Sequence, residues 1–523
     1  MSLSQSSSFT PLTPTSFIER SGYVFRNRTA VEDGLRQFTY GEFAQRCRNL
    51  AFGLVALGIR PDDRIAVLAS NGHLMLEAHS GVPLAGGVLV PMNYRLSATE
   101  LVYIVKHSGA RLMLASADFA DLSREVASKS GIRCLVSDDQ LDEYECVLQR
   151  APEHPLPERG EYDTLAINYT SGTTGQPKGV IYQHRGAYLQ SLAMGLHLGL
   201  NAKSTYLWTL PMFHCNGWCL TWALSATGSK QICLASPEPN QVWRILREGS
   251  VTHFSGAPTL LAMIANASGA SAGSLEKTVQ VSTGGAAPSP VLLARLAELN
   301  IEVTHLYGLT ESYGPAVINE WHPEWDSLSP NRRARYKARQ GVANVVGGVV
   351  RVVHENGVDV EPNGETIGEI VLHGNNVFSG YYRDPDATAA AMFDGGFRTG
   401  DLGVMHSDGY VEIRDRMKDI IISGGENISS LEVEQVIDAN PMVLESAVVA
   451  KPDSKWGEVP VAFVTLKHSD AELTEGDVIL FVRDRLAHFK VPRHVVFGPL
   501  PKTSTGKIQK RTLREIVRRM EIE

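Results

Sequence analysis

The most informative segment of this chain reads Tyr169-Thr170-Ser171-Gly172-Thr173-Thr174-Gly175-Gln176-Pro177-Lys178-Gly179. It follows a strand-like run and gathers hydroxyl side chains, glycines and a single lysine. Glycines allow successive backbone N–H groups to turn toward one point, and Lys178 adds a positive charge, so the segment suits a polyphosphate. It is not a Walker sequence, because Pro177 stands where that motif requires its second glycine. The segment therefore predicts a phosphate-binding loop of a different type.

On both sides of this segment, short β-branched runs alternate with amphipathic patterns. Buried strands are predicted at residues 65–69, 87–91, 112–115 and 165–169. Residues 40–57 and 98–107 carry apolar side chains at three- and four-residue spacing, which is typical of amphipathic helices. This alternation predicts an α/β fold whose sheet is mostly parallel.

The pattern changes near residue 415, where a charged stretch at residues 411–419 interrupts the alternation. The remaining hundred or so residues carry a pattern of their own, with helices predicted at residues 431–437 and 478–486 and strands at residues 446–450 and 459–466. A charged stretch between two segments that each have their own hydrophobic pattern indicates a domain boundary. The chain is therefore divided into units 1–415 and 416–523.

Composition excludes several classes of protein. The chain has 523 residues and a net charge of −8, which argues against binding nucleic acid or anionic membrane as its main role. Six scattered cysteines do not form a disulfide framework and favour a reducing compartment. We find no secretory signal, no apolar run of about 18 residues and no C-terminal peroxisomal address, so a soluble cytoplasmic protein is expected.

The segment at residues 169–179 (the phosphate-type segment) resembles the signature of the adenylate-forming superfamily. This superfamily includes acyl- and aryl-CoA synthetases, peptide-synthetase adenylation domains and firefly-type luciferases. Similar motifs follow in the family's order: Gly284-Gly285-Ala286-Ala287-Pro288, Tyr307-Gly308-Leu309-Thr310-Glu311, Thr399-Gly400-Asp401, Arg416, and Pro501-Lys502-Thr503-Ser504-Thr505-Gly506-Lys507. The resemblance spans roughly residues 30–515. It implies an AMP-forming acyl-CoA synthetase with a large N-terminal adenylation domain (1–415) and a small, mobile α+β C-terminal domain (416–523).

The resemblance also implies an ATP site. Its residues would be Thr170, Ser171, Gly172, Thr173, Thr174, Gly175, Lys178, Gly285, Ala286, Ala287, Tyr307, Gly308, Leu309, Thr310, Asp401, Arg416 and Lys507. The residue types suit these roles, since Tyr307 offers an aromatic face to adenine and Asp401 an acceptor pair for the ribose hydroxyls. Glu311 and Thr170 are expected to hold Mg²⁺, a hard cation that prefers oxygen ligands.

The catalytic group implied by the resemblance comprises Lys507, Thr310, Glu311 and His214. Lys507 would bridge the substrate carboxylate and the ATP α-phosphate, because attack of one anion on another needs a cation where negative charge accumulates. The basic tail at residues 508–520 has apolar positions at helical spacing, so we interpret it as an amphipathic helix rather than a nucleic-acid patch. Lys418 stands at the family's hinge position, about which the small domain rotates between the two half-reactions.

Binding of coenzyme A and of the acyl group is assigned by the same resemblance. Gly424 and Gly425 would line the pantetheine tunnel, and the alternative is that they form only a hairpin turn. Trp456 and Phe489 are candidate contacts to the CoA nucleotide. The acyl pocket is expected to include His214, Trp218, Gly284, Ser312 and Gly314. A metal site at His214 with Cys215 and Cys219 is rejected, because the spacing is not that of a zinc site.

Three matters stay open at this level. The adenylate could pass to another acceptor, namely a carrier protein, an amine or oxygen, or the chain could bind a nucleotide without turnover. Short, medium-chain, branched and aromatic acids are all compatible with the sequence, so a place in fatty acid metabolism is an expectation only. A homodimer is left open as an assembly.

Overall fold

The computed structural model describes residues 9–137, 142–150, 152–170, 176–286, 288–453, 455–467, 473–503 and 507–520. Within these ranges the chain forms four β-sheets packed with helices, and the predicted α/β class is confirmed. Most pairings in the two larger sheets are parallel, as the alternating pattern predicts.

The first sheet has six strands in the order β6-β5-β3-β4-β7-β8. Their bounds are β3 (Arg64–Leu68), β4 (Val88–Pro91), β5 (Ala110–Ser116), β6 (Arg133–Ser137), β7 (Thr164–Thr170) and β8 (Lys178–Gln183). All four strands predicted from the sequence are confirmed, as β3, β4, β5 and β7. Only β8 runs antiparallel: it pairs with β7, the strand before it in the chain, and the phosphate-type segment spans the end of β7 and the start of β8.

The second sheet has nine strands in the order β15-β14-β13-β12-β11-β9-β10-β1-β2. Their bounds are β1 (Thr29–Asp33), β2 (Arg36–Thr39), β9 (Thr205–Trp208), β10 (Lys230–Cys233), β11 (His253–Gly256), β12 (Val279–Thr283), β13 (Ile301–Leu309), β14 (Gly314–Ile318) and β15 (Val342–Ala343). A bulge between Tyr307 and Gly308 interrupts the pairing of β13 with β14, and bulges of this kind re-aim side chains beside active sites.

A third, five-stranded sheet follows in the chain. It contains β16 (Gly347–Val353), β17 (Gly368–Gly374), β18 (Met392–Phe393), β19 (Gly396–Met405) and β20 (Val411–Arg416). The charged stretch at residues 411–419 is therefore itself mostly a strand. Val411 is buried while Glu412 and Arg414 are partly exposed and pair with each other, so one face of this strand is solvated.

Helices cover the faces of these sheets. They are α1 (Thr15–Val24), α2 (Tyr40–Ala56), α3 (His73–Leu84), α4 (Ala98–Ser108), α5 (Ala120–Ser130), α6 (Glu143–Arg150), α7 (His184–His197), α8 (Cys215–Trp218), α9 (Leu220–Thr227), α10 (Pro239–Arg247), α11 (Pro258–Asn266), α12 (Pro290–Glu298), α13 (Pro330–Ala338) and α14 (Pro385–Ala391). The two predicted helices are confirmed as α2 and α4. Each begins at a capping box, Thr39 with Glu42 and Ser97 with Glu100, which satisfies free N–H groups of the first turn.

The fourth sheet belongs to the last hundred residues and is covered on both faces. It comprises β21 (Ile421–Ser423), β22 (Glu426–Ile428), β23 (Val443–Asp453), β24 (Gly457–Leu466) and β25 (His494–Phe497), with helices α15 (Ser430–Asp438), α16 (Glu475–Arg483) and α17 (Lys510–Arg519). Val448 packs in a core with α15 and α16, whereas its neighbour Val449 packs in a second core with α17. Because successive side chains of a strand point to opposite faces of the sheet, this segment has a hydrophobic core on each face.

The predicted elements of this last segment are confirmed, with one shift. Helix α16 begins and ends three residues before the predicted 478–486, because Thr474 and Asp477 form a capping box that starts the helix earlier. Among the described residues, no helix is both long and apolar enough to cross a membrane.

Candidate active site

The phosphate-type segment lies in the hairpin between β7 and β8. Thr170 and Lys178 stand opposite each other as the last pair of this hairpin. The Lys178 ammonium lies 4.9 Å from the centre of the Tyr381 ring and 3.9 Å from Asp384 Oδ2. Ser171, Gly172, Thr173, Thr174, Gly175 and Ala287, all expected to contact ATP, lie outside the described residues.

Tyr307 and Arg416 both contact the carboxylate of Asp401, and these three residues, all assigned to the nucleotide, form the Asp401 cluster. The Tyr307 hydroxyl donates to Asp401 Oδ2 at 2.8 Å, and Arg416 Nε lies 3.1 Å from Asp401 Oδ1. Asp401 and Arg416 are cross-strand partners on β19 and β20, so the register of that sheet fixes the ion pair. Both Asp401 oxygens already carry a donor, and a ribose would have to use their remaining lone pairs.

Beside this carboxylate lies an open cleft of about 450 Å³, lined among others by Leu309, Glu311, Tyr381, Thr399, Gly400 and Met417. Arg398 forms an ion pair with Glu369 at 2.6 Å, and the other oxygen of Glu369 accepts from the Gly400 N–H at 3.1 Å. The pair therefore anchors the turn that presents Asp401.

Glu311 is a partly buried carboxylate of the cleft. Burial raises the pKa of Glu311, and the Tyr381 hydroxyl opposes this by donating to Oε1 at 2.8 Å. A divalent cation would stabilise the ionised carboxylate that burial disfavours, so a hard oxygen in this setting fits Mg²⁺. Thr170, the second expected ligand, lies at the end of β7.

Lys507 lies within electrostatic range of Glu311 and Asp401, next to Ile508, which pairs with Lys502 across a hairpin. A Cβ added at Gly285 would lie 2.9 Å from Lys507 Cε, so the lysine crosses directly over that glycine. Burial lowers the pKa of Lys507, and the Arg416 charge lowers it further. The hairpin is anchored on both sides by ion pairs, Lys502 with Glu445 at 2.8 Å and Lys510 with Glu434 at 2.7 Å.

His214 and Thr310 lie on either side of a cysteine. Cys215 Sγ is 3.4 Å from Thr310 Oγ1 and 3.8 Å from His214 Nε2. Burial lowers the pKa of His214 to about 3, and the Lys507 charge contributes. Because the imidazole is neutral at physiological pH, it can orient or accept a hydrogen bond but supplies no charge.

The segment from His214 to Cys219, which carries two of the residues expected in the acyl pocket and is termed the acyl segment, turns in the left-handed sense. Residues 215–219 all have positive φ, from 46° at Asn216 to 60° at Cys219, and α8 is therefore a left-handed turn rather than an ordinary helix. Left-handed backbone costs roughly 1–2 kcal/mol for each non-glycine residue, so surrounding contacts must hold this turn.

Trp218 projects from this turn across two glycines. A Cβ added at Gly284 would lie 3.4 Å from its indole, and one added at Gly314 would lie 3.2 Å from its Cδ1. Ser312, assigned to the same pocket, is fully buried and donates to the Gly314 carbonyl at 2.7 Å. Its hydroxyl thus closes the turn after Leu309, while Gly308 allows the Gly314 carbonyl to approach.

The residues assigned to coenzyme A lie on the C-terminal segment. Gly424 and Gly425 form the two-residue turn of the β21–β22 hairpin, both with positive φ, as the alternative interpretation states. A Cβ at Gly424 would lie 2.9 Å from the half-exposed Trp456, so the turn and the indole form one surface. Phe489 is also exposed, and Lys418 lies in the turn at residues 417–419 that leads to β21.

Several residues of the site escape sequence reasoning. The Tyr381 hydroxyl donates to Glu311, and the Tyr182 hydroxyl donates to the Thr310 carbonyl. Arg398 pairs with Glu369, which in turn accepts from the Gly400 N–H beside Asp401. The pair Tyr381-Tyr382 after Gly380 is the one local signal, since adjacent aromatic residues in a glycine-containing stretch indicate packing. Asn216 carries no signal beyond its place in the acyl segment.

Comparison with known proteins gives a consistent result. A family model described as AMP-binding enzyme matches residues 18–382, and one described as AMP-binding enzyme C-terminal domain matches residues 432–507. An acetate–CoA ligase of Humulus lupulus is 43% identical, with 98% of this chain and 96% of that protein covered. A peroxisomal acetate/butyrate–CoA ligase of Arabidopsis thaliana is 41% identical, with coverage of 98% and 95%.

Among solved structures, the crystal structure of ATP-bound MatB from Rhodopseudomonas palustris superposes with a TM-score of 0.85. It is 27% identical in sequence, and the match covers 97% of this chain and 99% of that one. The likeness therefore extends through the C-terminal segment that carries Lys507.

Proposed function

Because this chain belongs to the AMP-binding enzyme family and is an AMP-forming acyl-CoA ligase, we propose that its substrate is a short-chain carboxylic acid. The reaction has two halves. The carboxylate displaces pyrophosphate from ATP to give an acyl-adenylate, and the CoA thiol then displaces AMP, losing its proton and forming the thioester.

The observation that carries the short-chain proposal is the position of Trp218. Its buried indole lies close to Gly284 and Gly314, which are also assigned to the acyl pocket, and in such a pocket it would limit the length of the acyl chain. Pockets lined by aromatic side chains with few polar groups suit small organic acids. Two relatives are named for acetate and butyrate, which supports the same size class.

For the first half-reaction we assign Lys507 to the charge that develops between the carboxylate and the α-phosphate. Tyr307, Asp401 and Arg416 are assigned to the adenosine and Thr170 with Lys178 to the phosphates. In support of this, Glu311 lines the cleft beside Gly400, and the charges of Asp401, Arg416 and Glu311 all act on Lys507. His214, as a neutral imidazole, would orient the carboxylate.

We further propose that Glu311 and Thr170 hold Mg²⁺ together with phosphate oxygens. When bound, Mg²⁺ would neutralise charge on the triphosphate and so favour departure of pyrophosphate. The chain's contribution is the burial of Glu311 and the Tyr381 hydroxyl that orients its carboxylate.

For the second half-reaction we propose rotation of residues 416–523 about Lys418. This would withdraw Lys507 and bring the surface of Gly424, Gly425, Trp456 and Phe489 toward the adenylate. Separate cores in the C-terminal segment support such rigid-body motion. Met417 and Lys418 are exposed in the turn that joins the two segments, which suits a pivot, whereas Asp419 is buried and paired with Arg514.

The cell compartment and the assembly are also proposals. All six cysteines are free, which supports a reducing compartment such as the cytoplasm. Several relatives are named as peroxisomal, so localisation of the tagged chain is the test. A homodimer would be tested by sedimentation, beginning with the exposed Leu192 and Leu196 on α7.

The proposed substrate class is tested by AMP release with acetate, propanoate, butyrate, hexanoate, octanoate and benzoate, each with and without CoA. We expect the highest kcat/KM between acetate and butyrate. The variant Trp218→Gly, which tolerates the positive φ, should shift the preference toward hexanoate and octanoate. A wild-type optimum at octanoate or benzoate would contradict the short-chain assignment while leaving the ligase activity intact.

A further inference from the structure

The left-handed turn of residues 215–219 is held by a buried amide. Asn216 is fully buried, and its side chain contacts two other elements of the fold. Its Oδ1 accepts from Asn168 Nδ2 on β7 at 2.6 Å, and its Nδ2 lies 3.0 Å from His79 Nε2 on α3. The turn is therefore tied to the strand that leads into Thr170 and to a core helix.

The protonation of His79 fixes the direction of this chain of hydrogen bonds. His79 Nδ1 lies 2.6 Å from the Met75 carbonyl, which can only accept, so Nδ1 carries the proton. His79 Nε2 is then an acceptor, and it requires the NH₂ group of Asn216 rather than its oxygen. The amide of Asn216 offers a donor to His79 and an acceptor to Asn168 at once.

The same turn carries or adjoins the residues assigned to the acyl group. His214 directly precedes it, Cys215 contacts Thr310 Oγ1, and Trp218 lies across Gly284 and Gly314. A change in the turn would therefore move the residues assigned to the acyl group more than Asp401 and Arg416, which lie on the strands of another sheet. Small displacements of positioning groups have large effects on rate, since a shift of about 1 Å can cost about a hundredfold.

We propose that Asn216 is a positioning residue for the acid: through His79 and Asn168 its amide fixes the left-handed turn that presents His214 and Trp218 to the acyl group. This rests on the proposed role of the turn in binding the acid. The Oδ1 atom of Asn168 is buried without a partner among the described residues, and a buried water is the group that would complete the chain.

The test compares Asn216→Asp with Asn319→Asp in pyrophosphate exchange. Asp has nearly the size of Asn but places an oxygen, without a donor, against the His79 Nε2 lone pair. Asn319 is the matched control, because it is also buried and donates to two carbonyls, those of Tyr336 and Arg339. We expect Asn216→Asp to raise the KM for the acid or lower kcat by about tenfold or more, with the KM for ATP within about twofold.

Two kinetic outcomes would overturn the proposal. One is an Asn216→Asp enzyme with wild-type KM for the acid and wild-type kcat. The other is an equal rise in KM for the acid in Asn319→Asp, or an equal rise in KM for ATP in Asn216→Asp, since either would indicate general loss of structure.

A second measurement does not depend on activity. Asn216→Gly keeps the positive φ at no steric cost but removes both side-chain hydrogen bonds. With ¹⁵N-labelled histidine, the His79 Nε2 resonance should shift in this variant, and an unchanged resonance would refute the contact. Absence of acid-dependent exchange in the wild-type enzyme would refute the proposed function instead, whatever this spectrum shows.

Discussion

Lys507 and Gly285, which are separated by more than two hundred residues, lie in direct contact, with the lysine Cε above the glycine Cα where a Cβ would come within 2.9 Å. Gly285 also has a φ of 89°, a conformation that side chains disfavour. The contact brings the C-terminal segment close enough to Glu311 and Asp401 for their charges to act on Lys507. This is the arrangement of the two segments that the proposed adenylation step requires.

The first prediction concerns Gly285→Ala. The added methyl group meets Lys507, and the positive φ adds strain, so pyrophosphate exchange should fall by about tenfold or more. Thioester formation from a supplied acyl-adenylate should change little, because Lys507 is not needed there. A matched change, Gly273→Ala, has a similar positive φ but nothing within 4 Å of the added carbon, and it should leave exchange unaffected.

The second prediction concerns Lys507 itself. Lys507→Ala should reduce adenylate formation by about a hundredfold or more, while thioester formation from supplied adenylate persists. Because burial and Arg416 lower the Lys507 pKa, adenylation should decline on the alkaline side at a pH below 10.5, as the amine loses its charge. Lys507→Arg should lose this alkaline decline. Equal loss of both half-reactions in a folded Lys507→Ala enzyme would contradict the assigned role.

The third prediction concerns His214. Burial is the main cause of its low pKa, and the Lys507 charge is the second, so Lys507→Met should raise the pKa above about 3 without restoring the ordinary value of 6.5. The imidazole therefore becomes more basic when Lys507 is absent, which would suit acceptance of a thiol proton. Chemical shifts of the His214 ring measured against pH provide the test, and an unchanged pKa would show that the two groups do not interact.

Much of the fold follows from local patterns, and so do the motif residues. Strands β3, β4, β5 and β7 are short apolar runs, and α2 and α4 carry their own capping boxes, so no distant contact is needed to identify them. Asp401 and Arg416 are assigned separately from the sequence, and only the sheet register reveals that they form an ion pair.

Other features depend on contacts that are distant in the chain. The left-handed turn at residues 215–219 contains ordinary residues as well as Gly217, and its sense is set by Asn168 and His79. The contact of Lys507 with Gly285 likewise depends on how two separate hydrophobic units pack. The hydrophobic periodicity of residues 215–219 or of the C-terminal segment does not predict such an arrangement, because the hydrogen bonds and contacts responsible for it are tertiary.

The fourth prediction concerns Tyr381. Tyr381→Phe removes a hydrogen bond to a charged carboxylate, which is worth about 1.5–3 kcal/mol, so Glu311 should bind Mg²⁺-ATP about tenfold more weakly or worse. Calorimetric titration with ATP at several Mg²⁺ concentrations measures this effect. Tyr382→Phe is the control, since the Tyr382 hydroxyl makes only a 3.4 Å contact with the Ser108 carbonyl. Identical Mg²⁺ dependence in the two variants would exclude a role for Tyr381 in orienting Glu311.

The last prediction concerns rotation about Lys418, which lies in the exposed turn joining β20 to β21. Proline fixes φ near −65° and restricts the preceding residue, so Lys418→Pro should stiffen this turn. Lys507 already lies over Gly285 in the present arrangement, so adenylate formation should be largely preserved. Thioester formation should fall by about tenfold or more, because it requires the other arrangement of the two domains.

Lys418→Ala is the control: it removes the same side chain but leaves the backbone free, and it should support both half-reactions. Unchanged thioester formation in Lys418→Pro would place the pivot elsewhere in residues 411–420.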